Sequence, residues 1–564
     1  MTDVGPWAPG LSSTIPARLM PRVTLFDPAH AEVPWDEAKA LSDGIGLAPH
    51  ELAVLRPERL ALHSVLIRVT SMLTVPDGPN YADLGLNLRG MAHAIFDRFV
   101  QPEMGRVQRA YEDVRRDAQA EITRLLDAEI YPAPPPPPPK GLAAWFRKAP
   151  EPPRRDPQAE ALRIASEWAD VRNETVPAAC QRALARTLGA ALKQRAVLPG
   201  RDVLERVALG LVLSRMGSAA VGQVVEALFP AAAEALGYRM LPAQSEPVVL
   251  NAKGASASGK STIRDKQKQI AARLGLDWAD FAVISPDYWR KALIDYEGLG
   301  DDYKYAAMLC GQELEVIDRK LDILMAVKGA DGTVPHLLID RFRFDSFARD
   351  RVRAEDSTLL TRFGAKIYLF FMITPPAETV VRAWTRGQAT GRYKAVDDLL
   401  FHNIEAYAGM PDLFFSWAGL TDRWIHYEFL DNSVPLGETP RTVAYGQNGH
   451  LVIADLERFC DIERFRHVDV DAKRAEDVLD RVLTDQEAMA IVRRACRDLP
   501  AVDLLVPGSD GVWAAARDGE LTIDRAALPA GMEVEAFGPA RIADKPLGDV
   551  DADLRQETIG DSQQ

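Results

Sequence analysis

Over residues 52–130 apolar side chains recur at three- and four-residue intervals between charged ones, as at Met91, Ala92, Ile95, Phe96 and Phe99. This is the spacing of an amphipathic helix, and it predicts a helical N-terminal region over 1–130. The pattern stops at Tyr131, where Pro132, six consecutive prolines at 134–139 and then Pro150, Pro152, Pro153 and Pro157 follow. Such a run holds the backbone extended and predicts a semi-rigid linker over 131–157. Polyproline also docks on aromatic grooves, so the linker and the helices before it are candidate surfaces for a protein partner. Helical spacing resumes and predicts a second helical region over 158–244.

From Pro247 the pattern changes. Short apolar runs at 248–250, 282–284, 337–339, 367–372 and 424–429 alternate with helical stretches, the signature of buried parallel strands. They predict an α/β domain over 245–435, a five-stranded parallel sheet flanked by helices. Beyond it the sequence predicts a mixed extension over 436–500, with a hairpin at 447–449 and a helix over 472–497. A small β-like region over 501–545 and a disordered acidic tail over 546–564 complete the expectation.

Length and charge narrow the class. A chain of 564 residues exceeds one ordinary core, and 47% apolar with 26% charged residues is the make-up of a globular protein. The formal net charge of −14 disfavours nucleic acid and anionic lipid as partners. The first twenty residues carry prolines at 6, 9 and 16 and lack a signal-peptide pattern. The most apolar stretch, 207–241, is broken by Arg215 and is expected to form buried helices, not a membrane span. Cys180, Cys310, Cys460 and Cys496 stand far apart without a CxxC pair, which fits reduced thiols in a cytoplasmic protein.

Candidate chemistry begins after the first apolar run. Gly254-Ala255-Ser256-Ala257-Ser258-Gly259-Lys260-Ser261 fits G-x-x-x-x-G-K-[ST], preceded by a predicted strand and followed from Thr262 by a predicted helix. Small residues there let successive backbone N–H groups, with those of Gly254, Ser256, Ser258, Gly259 and Thr262 among the candidates, converge on phosphates at a helix start. Lys260 is the predicted ligand of the β and γ phosphates of ATP, or of GTP, and the Ser261 hydroxyl a ligand of Mg²⁺.

Asp287 follows the second run, where a carboxylate past the end of a parallel strand faces the ligand crevice and can take a proton from an acceptor hydroxyl. Asp340 ends the third run and is a candidate Mg²⁺ or substrate ligand, with Arg341 and Arg343 beside it. Arg382, Arg386 and Arg392 surround a polar, glycine-bearing segment with the make-up of a lid that brings positive charge to a transferring phosphoryl group. Glu313 and Glu315 are expected to be solvated or paired, and His336 and His402 to lie outside the chemistry. Trp384 and Tyr393 are expected to pack.

Together the 254–261 loop, Asp287-Tyr288-Trp289-Arg290, Asp340 and the arginine-bearing lid resemble the zeta-toxin family of P-loop kinases, over about 247–430 only. The resemblance implies Mg²⁺- and ATP-dependent transfer of a phosphoryl group to a sugar hydroxyl of a nucleotide-sugar such as UDP-N-acetylglucosamine. It places the phosphate lysine at Lys260, the base at Asp287, a substrate-side arginine at Arg290 and the lid arginines at Arg386 and Arg392, with Arg382 an alternate. Where the family has Glu and then a small residue, this chain has Asp340-Arg341-Phe342-Arg343. The leading expectation is therefore a small-molecule kinase. The alternatives are a nucleotide-dependent switch whose helical regions bind a partner, and a polynucleotide 5′-hydroxyl kinase.

Overall fold

A computed structural model describes residues 4–78, 81–132, 157–195, 197–341, 360–435, 437–530, 537 and 542–561. The proline-rich linker expected at 131–157 falls almost wholly outside the described residues, and so does Arg343.

The N-terminal helices are α1 (Trp35–Ile45), α2 (Pro57–Met72), α3 (Tyr81–Ile95) and α4 (Met104–Leu125), and then α5 (Pro157–Ala169), α6 (Val176–Arg195), α7 (Arg201–Val212) and α8 (Ser218–Ala235). Helix α4 serves both groups. Its first turns give Met104, Val107 and Tyr111 to a core shared with α2, α3 and α8, while Ala118, Ile122 and Leu125 join α5, α6 and α7 in a second core. The helical run Arg201–Ala235 is long and apolar enough to cross a membrane by length and composition, with 33% of its most apolar window buried. Its α8 half packs against α2 and α4.

The remainder is a mixed α/β structure around one large sheet. Its strands are β1 (Val248–Lys253), β2 (Phe281–Ile284), β3 (His336–Asp340), β4 (Lys366–Ile373), β5 (Trp424–Asp431), β6 (Arg441–Gln447), β7 (His450–Ile453), β8 (Ala501–Leu505), β9 (Val512–Arg517), β10 (Glu520–Ile523) and β11 (Ile542–Asp544). Between and after them lie α9 (Arg264–Arg273), α10 (Arg290–Leu293), α11 (Ala306–Leu309), α12 (Gly311–Ala330), α13 (Pro376–Thr390), α14 (Val396–Ala418), α15 (Leu456–Arg464), α16 (Asp485–Ala488) and α17 (Ala490–Asp498).

The order across the sheet is β11-β10-β9-β8-β7-β6-β5-β4-β1-β3-β2. Strands β1 to β5 pair in parallel, and the five expected apolar runs fall on them. The expectation of five strands is corrected to eleven among the described residues. After β5 the chain returns as the antiparallel β6, and Asn448 (φ 42°) with Gly449 (φ 86°) makes the two-residue turn into β7. The stretches taken as a mixed extension and a small β-like region thus extend the same sheet. The helix expected over 472–497 begins only at Asp485, where Thr484 and Glu487 form a capping box.

The tail is also corrected, because it is ordered to Asp561. Backbone N–H groups of Ile559 and Gly560 donate to the fully buried Glu428 carboxylate (2.9 and 3.0 Å), and Tyr368 Oη donates to Glu557 (2.9 Å). An acidic composition predicted disorder, but a buried carboxylate needs donors, and this segment supplies them.

Helix α2 explains how the N-terminal half meets the sheet. Nearly every residue from Arg59 to Ser71 is buried, because α2 packs against α3, α8, α12 and β2. The helical and α/β regions therefore share one hydrophobic core.

Candidate active site

Every residue of β1 is buried, and its chain leaves the sheet at Lys253 into the 254–259 turn. Gly259 is left-handed at φ 88°, and a Cβ there would lie 2.0 Å from Asn432 Nδ2, so glycine is required for both conformation and space. Ala257 also takes a positive φ of 63°. The turn is braced from the neighbouring strand ends: Thr374 Oγ1 and Asn432 Nδ2 both donate to the Ser258 carbonyl, at 3.0 and 2.8 Å. Ser258 itself is fully buried, so its side chain is closed to an outside ligand.

Thr262 donates its hydroxyl to the Gly259 carbonyl at 2.7 Å. It closes the turn with its side chain. Lys260 Nζ donates to the carbonyls of Gly254 and Ala255 at 3.1 and 3.0 Å, which places the ammonium over the loop. Burial lowers the Lys260 pKa, against the carboxylates of Asp340 and Asp287 and together with the positive charges of Arg386 and Arg392. These four side chains share one electrostatic field with the lysine.

Asp287 lies in the single turn Pro286–Trp289, directly past the buried end of β2. One carboxylate oxygen accepts from Arg290 Nε at 3.0 Å and the other from the Arg392 guanidinium. Burial pushes the Asp287 carboxyl up, but Arg392, Arg290 and Arg386 outweigh it and hold it well below the usual carboxylate range. Arg290 is fixed in turn by the Ala307 carbonyl at 2.7 Å.

The segment expected to form a lid is α13 followed by Gly391, left-handed at φ 73°, whose N–H closes on Gly387 at 2.8 Å and turns Arg392 inward. Arg382, one helical turn before Arg386, donates to Glu378 at 3.0 Å and to the Asn432 carbonyl. It lies against the phosphate-loop turn, 3.4 Å from where a Gly259 Cβ would be.

Asp340 sits at the end of β3, in register with Ala252 of β1. Its neighbour Arg341 turns the other way, buried between Asp318 (2.9 Å to Nε) and Asp322 (2.8 Å) on α12. That leaves Asp340 at the carboxyl edge of the sheet with Lys260. Among the described residues no cluster of three or more His, Cys, Asp and Glu forms a cation site. Ser261 and Asp340 together offer one hydroxyl and one carboxylate, hard oxygen donors suited to a Mg²⁺ ion that takes its other ligands from phosphates and water.

No protein-family model, curated protein or solved structure matches this chain. The zeta-toxin likeness accordingly rests on the site residues alone.

Some participants were not anticipated. Thr374 and Asn432 brace the loop from the ends of β4 and β5, a role detectable only from their position at the carboxyl edge of the sheet. Lys394 is drawn to Asp398 at 3.3 Å and bonds His402, forming a small polar cluster on the lid side. Burial lowers the Lys394 pKa to about 8, against Asp398 and together with the more distant Arg290 and Arg386. Glu313, expected to be solvated or paired, is paired and fully buried. A cavity of about 110 Å³ lined by Tyr445, Asp510 and Arg555, among others, shares no residue with the cleft.

Proposed function

We propose that this chain is a P-loop kinase: a Mg²⁺- and ATP- or GTP-dependent phosphotransferase acting on a hydroxyl of a small molecule or nucleotide-sugar. The observation that carries this reading is the meeting of Asp287, at the end of β2, with Arg392 of the lid and Arg290, in the field of Lys260 and Asp340. Three parallel strands, β1, β2 and β3, bring their carboxyl ends to one crevice, which is where open α/β sheets bind ligands.

Each side chain has a task. The backbone N–H groups of 254–261 and the Lys260 ammonium hold the nucleotide phosphates. Ser261 and Asp340 would hold a Mg²⁺ ion, which would supply neutralisation of charge on the nucleotide phosphates. Asp287 orients the acceptor hydroxyl and takes its proton. Because phosphoryl transfer passes through a loose transition state, the proton leaves late and a carboxylate of low basicity suffices. Arg386 and Arg392 carry the charge that spreads over the transferring oxygens, and Arg290 and Arg382 hold anionic parts of substrate. When phosphates draw Arg392 away, Asp287 loses its strongest cation and becomes more basic at the moment it is needed. The cytoplasm, with its nucleotide pool, is the proposed location, and all four cysteines are free thiols.

The test is incubation with γ-labelled ATP or GTP, Mg²⁺ and a panel of nucleotide-sugars, nucleosides and oligonucleotides, with Lys260→Ala beside it. Label on a small-molecule or nucleotide-sugar acceptor, lost in the variant, supports the proposal. Label on oligonucleotides alone makes the protein a polynucleotide kinase, and Lys260-dependent binding without any acceptor makes it a switch.

A further inference from the structure

The turn that carries Asp287 has a back as well as a front. Trp289, fully buried, donates its indole N–H to Thr70 Oγ1 on α2 at 3.0 Å, and the Thr70 hydroxyl donates onward to the Leu66 carbonyl at 2.8 Å. Arg59, also on α2, donates to the carbonyl of Leu293 at 2.6 Å, the last residue of the short helix that carries Arg290. Its remaining N–H groups hold Glu313 at 2.6 and 2.7 Å, and His63 bonds the same carboxylate at 2.6 Å. From α3, Arg89 donates to the Tyr288 carbonyl at 3.4 Å, and a Cβ on Gly85 would lie 2.9 Å from the Tyr288 ring.

Residues 288, 289 and 293 are thus gripped from behind by two helices more than 190 positions earlier in the chain. On its front face the same turn offers Asp287 to the cleft. A four-residue turn and a four-residue helix have little hydrogen bonding of their own to hold a side chain in place, so their position is set by what they lean on.

We infer that α2 and α3 are the wall that positions the candidate base, with Thr70 and Arg59 acting as positioning residues for Asp287 and Arg290 through Trp289 and Leu293. This rests on the phosphotransferase reading for its kinetic consequence, and on the hydrogen bonds alone for its structural one. It gives the N-terminal helices a task inside the site that a separate partner-binding module would not have.

Thr70→Val keeps the shape of the side chain and removes the acceptor, and Thr70→Ser keeps the hydroxyl. Hydrogen–deuterium exchange and steady-state kinetics are measured on both in the full chain. In Thr70→Val, exchange is expected to rise over residues 285–294 while residues 250–263 keep the wild-type rate. The kcat is expected to fall roughly ten- to a hundredfold, with KM for ATP held within about twofold, and Thr70→Ser to restore both readouts. Wild-type exchange at 285–294 in Thr70→Val overturns the inference, and so does equal loosening of 250–263. Should Thr70→Val fail to fold, Trp289→Phe removes only the donor and is held to the same outcomes. If wild-type protein labels no acceptor, the phosphotransferase reading fails while the exchange result still decides the positioning.

Discussion

Asp287 and Glu313 each lie between two basic side chains, Asp287 between Arg290 and Arg392, and Glu313 between Arg59 and His63. Asp287 keeps 34% of its side chain exposed, whereas Glu313 is at 0% with Arg59 at 5%. Around Glu313 every role is taken: Arg59 binds it with two bonds, and His63 Nε2 donates to it while Lys320 Nζ meets His63 Nδ1 at 3.1 Å. Around Asp287 one partner, Arg392, comes from the turn after α13, and both side chains act on the Lys260 ammonium. The same ingredients make a buried lock in one place and a partly exposed cluster in the other. Burial and the origin of the partners separate the two, while residue type does not.

The largest expected effect breaks the lock. Glu313→Gln leaves the Arg59 guanidinium buried without a counter-charge and should cost about 3–5 kcal/mol of stability, whereas Asp287→Asn in the open cluster should change it by less than about 1 kcal/mol. Urea unfolding of both variants checks this, and equal losses would erase the distinction. Next in size, Gly259→Ala forces a Cβ into Asn432 at a left-handed position and should weaken ATP binding about 5- to 150-fold, as strain of roughly 1–3 kcal/mol implies. Titration calorimetry reads that directly.

A third prediction uses pH. Burial, with the Lys320 charge, pushes the His63 pKa down to about 3 against the pull of Glu313, so the folded chain keeps this imidazole neutral where the unfolded chain protonates it. Between about 6.5 and 3 the unfolded state binds the extra proton, and stability must fall as pH drops, by up to about 1.4 kcal/mol per pH unit from this group. Glu313, whose carboxyl is held below its ordinary range despite burial, by His63 and Arg59, adds to the loss below the ordinary glutamate pKa. A His63→Gln variant should show a shallower acid limb in unfolding experiments at pH 6.5, 5.5 and 4.5. An unchanged slope would mean His63 is not the titrating group. The smallest effect is expected at Thr262, where Thr262→Val removes a bond of about 0.5–1.5 kcal/mol that closes the turn, and ATP affinity should drop by no more than about tenfold.

These two clusters also show what a sequence can and cannot reveal. The candidate phosphate loop is linear, so its glycines, Lys260 and Ser261 stand out as a word, and Asp287 stands out as a candidate because it follows a strand-like run. The glutamate lock is not, because Arg59 and Glu313 are 254 positions apart and helical periodicity carries no information about which distant carboxylate an arginine will meet. The same reason hides the Thr70–Trp289 bond. The five parallel strands could be read from their apolar runs, but their continuation into β6–β11 depends on pairings between strands, which composition does not encode. In the tail the acidic residues suggested disorder because the buried Glu428 that captures its backbone lies about 130 residues earlier.

The measurement that bears most directly on the account is the rate of phosphate transfer to an identified acceptor by Asp287→Asn protein, with nucleotide binding measured on the same sample. The account predicts transfer reduced about 10²–10⁴-fold with nucleotide binding retained. Transfer at the wild-type rate would contradict it, because the carboxylate proposed to take the acceptor's proton would be gone.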